Sequence, residues 1–168
     1  AAASLRGGEG FSAFAAAKLP IVIALDEISD PQNLGAIARS AECAGAQGII
    51  ITAKNSSPIT PVAVKISAGA LGRIPIAKVS SLTQAFTKMK DAGFWVVGTE
   101  MEAEKSYTDN VYDTPVLIVI GSEGEGMRQS TSKHCDFTVK IPMKGSLNSL
   151  NASVTAGIML FEALRQRG

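Results

Sequence analysis

Two hydrophobic periods alternate along the chain. Short apolar runs at IVIAL (21–25), GIIIT (48–52), PIAKV (75–79), FWVVGT (94–99), PVLIVIG (115–121) and FTVKI (137–141) read as strands. Several are apolar at every position, the signature of strands covered on both faces. The segments between them carry a helical period. In NLGAIARSAECAG, Leu34, Ile37, Ala38 and Ala41 fall on one stripe at i, i+3, i+4 and i+7. Asp30 before Pro31 supplies a capping carboxylate and a proline at the first helical position, and Gly45 supplies a stop. Further helices are expected near 60–71, 81–92, 126–134 and 150–166. Strand alternating with helix predicts an α/β domain, a mostly parallel sheet with helices on both faces.

Such sheets gather ligands at the carboxyl ends of their strands. The loops expected there are DEISDPQN, GTEMEAE, GSEGEGM and IPMKGSLNS. The last packs Ser146, Asn148, Ser149, Asn151 and Ser153 between a strand and an apolar helix. A helix cap needs one of these side chains; the surplus points to a bound group. In GSEGEGM the glycines permit close backbone approach, but the spacing is neither G-x-G-x-x-G nor a Walker A loop. Glu123 in its middle disfavours an anion and suits a cation or a hydrogen-bond donor. The same loop also reads as a tight turn with a solvated glutamate.

Arg39 lies off the stripe of its helix, about 9 Å beyond the first turn at ~1.5 Å rise per residue, where Asn33 sits. It reads equally as a surface cation paired with Glu42 at i+3. Phe94 and Trp95 read as core strand residues. On the last helix, Val154, Ile158, Phe161 and Leu164 or Arg165 form one stripe, and Met159 and Leu160 widen it. An apolar surface this broad is expected to be buried in the fold or in a second copy of the chain.

Composition narrows the classes. With 168 residues the chain suits one domain with a real core. Its formal net charge of +1 makes it no basic clamp for nucleic acid. No apolar run reaches membrane-spanning length, and no secretory signal is evident. Cys43 and Cys135 lie far apart and read as free thiols of a cytoplasmic protein. His134, Cys135 and Asp136 are adjacent, and neighbouring side chains do not converge on one ion, so no metal is expected. The single histidine and the missing nucleophile elbow weigh against a hydrolase. An NAD-dependent oxidoreductase lacks its glycine fingerprint, because DEISDPQN stands where that fingerprint belongs. The Ala/Gly-rich residues 1–18 are expected to be a linker, with the folded domain at 19–168.

Taken in order, DEISDPQNLGAIARSAECAG, VLIVIGSEGEGM and IPMKGSLNSLNASVTAGIMLFEALRQ resemble the SpoU (TrmH-like) family of the SPOUT superfamily, most of all its RlmB-like group. The likeness extends over residues 20 to 167. It implies a fold with a deep C-terminal trefoil knot, an exception to unknotted topology. It implies S-adenosyl-L-methionine as cofactor, a homodimer that completes the active site, and methyl transfer to a ribose 2′-oxygen of RNA, with ribosomal RNA favoured. A transfer RNA enzyme and a silent RNA-binding module are the alternatives. The resemblance leads to the expectation that an N-terminal RNA-binding domain of that group is absent from these residues and would join at their Ala/Gly-rich start. The catalytic positions implied are Asn33, Arg39, Glu123, Ser149 and Asn151. Those implied for the cofactor are Thr99, Glu100, Ile120, Gly121, Ile141, Met143 and Leu150.

Overall fold

A computed structural model of the chain describes residues 4–6, 11, 14–15, 17–122 and 124–168. The apolar runs form β2 (Ile21–Asp26), β3 (Gly48–Thr52), β4 (Ile76–Val79), β5 (Trp95–Thr99), β7 (Val116–Gly121) and β8 (Phe137–Lys140). Two short strands join them, β1 (Ser4–Arg6) and β6 (Lys105–Ser106). The sheet order is β1-β4-β3-β2-β7-β5-β8-β6, and every strand pair is parallel.

The helices are α1 (Pro31–Cys43), α2 (Pro61–Ile66), α3 (Leu82–Asp91), α4 (Gln129–Ser132) and α5 (Ala152–Gln166). Asp30 caps α1, its Oδ1 accepting the Gln32 N–H at 2.8 Å, a contact worth about 1 kcal/mol. Gly45 ends it with φ +75°. The Ala46 N–H reaches Ala41 O at 2.9 Å and the Gly45 N–H reaches Glu42 O at 3.0 Å, which closes a Schellman motif. The expected helix at 60–71 divides: α2 stops at Ile66, Gly69 takes φ +90°, and a 3-10 turn follows at Ala70–Gly72.

Alternate side chains of the strands enter opposite cores. Ile21, Ile23, Leu25, Ile49, Ile51, Ile118 and Ile120 pack with Leu34, Ile37, Met159 and Leu160 of α1 and α5. Val22, Ala24, Ile50, Val96, Leu117 and Val119 pack on the other face with Phe86 and Met89 of α3. Phe11 and Phe14, within the stretch expected as a linker, are buried in this second core. Phe14 lies where a side chain at Gly48 would stand, its ring 2.1 Å from the position of a Cβ.

One expectation is corrected, and one is narrowed. Phe94 is buried, but Trp95 is 44% exposed and stacks on Phe137 with ring centroids 5.5 Å apart. Trp95 opens β5 at the amino edge of the sheet, where no helix covers it fully. On α5 the buried side is Ala152, Ala156, Met159, Leu160 and Ala163, whereas Val154, Phe161 and Leu164 of the expected stripe remain exposed. The small alanines let α5 approach the sheet, so the bulky stripe faces outward. Among the described residues no helix is long and apolar enough to cross a membrane.

Candidate functional site

β5, β7 and β8 are neighbours in the sheet, so the loops leaving their carboxyl ends meet. Between them lies a cavity of about 350 Å³. Thr99 and Gly121 end their strands at its floor, and Ile141 begins the loop after β8. The Glu100 N–H donates to Val139 O at 2.9 Å and holds the loop after β5 against β8.

All the positions expected to hold a cofactor line this cavity: Thr99, Glu100, Ile120, Gly121, Ile141, Met143 and Leu150. Ser149 lines it too. Asn151 does not line it; it is the N-cap of α5, its Oδ1 accepting the N–H groups of Ser153 at 2.9 Å and Val154 at 3.4 Å. That cap fixes the direction of α5, whose Ala152 and Thr155 are in the wall. Asn33 and Arg39 stand apart on α1. Asn33 is buried in the first turn, and Arg39 is exposed. Arg39 enters none of the ion pairs among the described residues, so the expected pairing with Glu42 is absent. Glu123 lies outside the described residues; its neighbours Ser122 and Gly124 both line the cavity.

The turn after β7 is shaped by backbone crowding. The Gly126 N–H donates to Ser122 O at 2.8 Å, and Gly124 and Gly126 hold φ of +80° and +71°, conformations that glycine reaches without strain. A Cβ on Gly121 would sit 2.1 Å from Met127 N and 2.2 Å from Gly126 C. Met127, which the sequence does not single out, folds back over β5: a Cβ on Gly98 would lie 2.5 Å from its Cε and 2.8 Å from Cys135 Sγ. Burial pushes the Cys135 thiol up to about 12, so it stays protonated.

The electrostatics are one-sided. Glu100, Glu102 and Glu125 line the cavity, and the lining holds no Lys, Arg or His among the described residues. Such a site favours a cationic ligand and disfavours a phosphate-bearing one. Among the described residues no group of three or more His, Cys, Asp or Glu is placed to hold a metal ion. His134 instead turns Nδ1 to Ser130 O at 2.8 Å, within its own helical turn.

Comparison with known proteins agrees with this geometry. The chain is 45% identical over 148 residues to the 23S rRNA (guanosine-2′-O-)-methyltransferase RlmB of Pseudomonas putida, covering 88% of this chain and 60% of that protein. The chain therefore spans about 60% of the length of that relative. The SpoU methyltransferase AviRb from Streptomyces viridochromogenes, solved in complex with AdoMet, superposes with a TM-score of 0.84 at 32% identity, over 93% of this chain and 61% of that one. The TrmH/SpoU tRNA modifying enzyme of A. aeolicus gives a TM-score of 0.80 at 29% identity, over 94% of this chain and 80% of that one. With the model of the SpoU rRNA Methylase family matched across residues 20–161, this chain belongs to that family.

Proposed function

We propose that the chain transfers a methyl group from S-adenosyl-L-methionine to a ribose 2′-hydroxyl of RNA, on a guanosine of large-subunit ribosomal RNA, in the cytoplasm. The observation that carries this reading is the cavity itself, with three carboxylates and no cation in its described lining. A nucleotide cofactor would bring phosphates into that field, whereas a sulfonium brings a positive charge. The name of the Pseudomonas putida relative supports the guanosine and the ribosomal RNA.

When bound, the cofactor supplies an electrophilic methyl group. The residues of this chain bind and orient around it. Ile120, Ile141, Met143 and Leu150 would give a flat base apolar walls, and Glu100, Glu102 and Glu125 would attract a positive charge. Ser149 and the neighbouring Asn148 place hydrogen-bonding groups at the same mouth. Asn151 acts through the cap that aims α5. Glu123 is assigned to Asn33 or to polar groups of the ligand. Arg39 fixes an RNA phosphate and stabilises the alkoxide that develops as the 2′-hydroxyl gives its proton to water. A general-base role for Arg39 is disfavoured, because a guanidinium is very reluctant to lose its proton. Its exposure, and the lack of a carboxylate partner among the described residues, leave it available for phosphate.

A homodimer and a deep trefoil knot in the C-terminal part belong to the same proposal. The dimer is supported by Val154, Phe161 and Leu164, exposed along one helix that also borders the cavity. The knot rests on membership of the SpoU rRNA Methylase family.

Incubating the chain with methyl-labelled cofactor and 23S rRNA tests the reading. Label should enter RNA as an alkali-resistant dinucleotide, since a 2′-O-methyl group blocks cleavage at the adjacent phosphate. Label on a base, or none from a folded chain that binds the cofactor, would contradict it. A transfer RNA substrate is the second reading, favoured by the likeness to the A. aeolicus enzyme. Label in transfer RNA and not in 23S rRNA would decide for it.

A further inference from the structure

A buried carboxylate outside the assigned site anchors the turn that walls the cavity. Asp26 is the last residue of β2 and only 1% exposed. Its register partner across the sheet is Gly121, where the turn begins. Its Oδ2 accepts the backbone N–H of Arg128 at 2.9 Å, and its Oδ1 accepts the Arg128 Nε–H at 2.9 Å. Arg128 follows Met127, where the turn ends. Asp26 therefore meets both ends of the segment from Gly121 to Arg128: its backbone lies in register with Gly121 in the sheet, and its carboxylate holds Arg128 with charge-assisted bonds.

A second layer holds the guanidinium. Arg128 Nη1 lies 3.4 Å from Glu27 Oε1, and that oxygen accepts the Asn55 Nδ2–H at 3.2 Å. Glu27 takes φ +57° to present its side chain there, a left-handed conformation uncommon outside glycine. The same short loop runs on to Asp30, the cap of α1. The fixed point thus lies between the cavity wall and the helix that carries Asn33 and Arg39. The turn needs such an anchor. Gly124 and Gly126 take left-handed φ that leaves the backbone between them adaptable, and within the turn Ser122 and Gly126 bond each other while Gly121 packs against Gly126 and Met127.

We propose that Asp26 and Arg128 are positioning residues for the cofactor cavity: together they hold the turn after β7 in the shape that closes the wall, and hold that wall at a set place relative to α1. This rests on the cavity being the S-adenosyl-L-methionine site. Neither residue touches the cavity; both act through Gly121 and Met127, which do.

The test compares the unchanged chain with Arg128→Lys, Arg128→Ala and Asp26→Asn. Calorimetric titration with S-adenosyl-L-methionine is run well below the melting temperature of each, beside thermal melting without cofactor and RNA binding without cofactor. Lysine keeps the charge and the backbone N–H but loses the Nε bond and the fork to Glu27. Arg128→Lys should weaken cofactor binding roughly tenfold and Arg128→Ala further, with RNA affinity unchanged. Asp26→Asn should move cofactor affinity in the same direction; should it fail to fold, the two Arg128 variants carry the test. Unchanged cofactor affinity with a lowered melting temperature would make the pair purely structural and overturn the proposal. Lost RNA binding with intact cofactor binding would make Arg128 a phosphate contact and overturn it equally. No cofactor binding by the folded, unchanged chain would remove the reading of the cavity, and this inference with it.

Discussion

The cavity and helix α1 are the two halves of the candidate site, and they are built in different ways. The cavity wall is assembled within one chain from three adjacent loops, and its floor is buried sheet. Arg39, on α1, is exposed and unpaired among the described residues, and lines no part of that wall. The difference separates binding from transfer. In the proposed reading one chain holds what a cofactor needs, the exposed Arg39 is assigned to RNA phosphate, and the exposed apolar residues of α5 are assigned to a second copy.

That separation can be broken from the cavity side most severely at Gly121. Alanine there would put Cβ 2.1 Å from Met127 N and 2.2 Å from Gly126 C, backbone atoms that cannot step aside. Gly121→Ala should weaken cofactor binding by more than about a hundredfold in calorimetry. Phe161→Glu tests the proposed dimer. It places a charge at Phe161, which is 46% exposed on the apolar face of α5, and should raise the dimer dissociation constant by about a hundredfold in sedimentation. Cofactor binding per chain should survive it while methyl transfer falls. Gly98→Ala is milder, because its Cβ would meet Met127 Cε at 2.5 Å and Cys135 Sγ at 2.8 Å, both side-chain ends that can move. Met127 then shifts into the cavity, and cofactor affinity should drop by roughly tenfold. The smallest effect is a marker of intactness. Cys43 is exposed, and burial holds the Cys135 thiol protonated up to about 12, so alkylation at neutral pH should label Cys43 and spare Cys135. Labelling of Cys135 would report that the contact with Gly98 has opened.

The strands and the cavity were legible in the sequence because their signals are local. Continuous apolar runs mark strands covered on both faces, and polar or glycine-rich segments after them mark the ligand edge. Family likeness then supplied Thr99, Glu100, Ile120, Gly121, Ile141, Met143 and Leu150, and all meet at one cavity. What stayed hidden depends on partners distant in the chain. Asp26 and Arg128 are 102 positions apart and look like two ordinary charges. Met127 gains meaning only from Gly98, across β5. On α5, helical periodicity found a stripe but gave no sign of which side the sheet would take; the alanines, not Val154 and Phe161, were the closer fit. Trp95 shows the same limit: Phe94 before it and Val96–Gly98 after it are buried, and its place at the amino end of β5 leaves it exposed.

The most direct measurement is a calorimetric titration of Arg39→Ala with S-adenosyl-L-methionine, beside the unchanged chain. The account predicts the same saturable binding in both, near one site per chain, while methyl transfer by Arg39→Ala falls about a thousandfold. Failure of the folded, unchanged chain to bind, or loss of binding in Arg39→Ala alone, would contradict the division between a cavity that holds the cofactor and an arginine that serves the RNA.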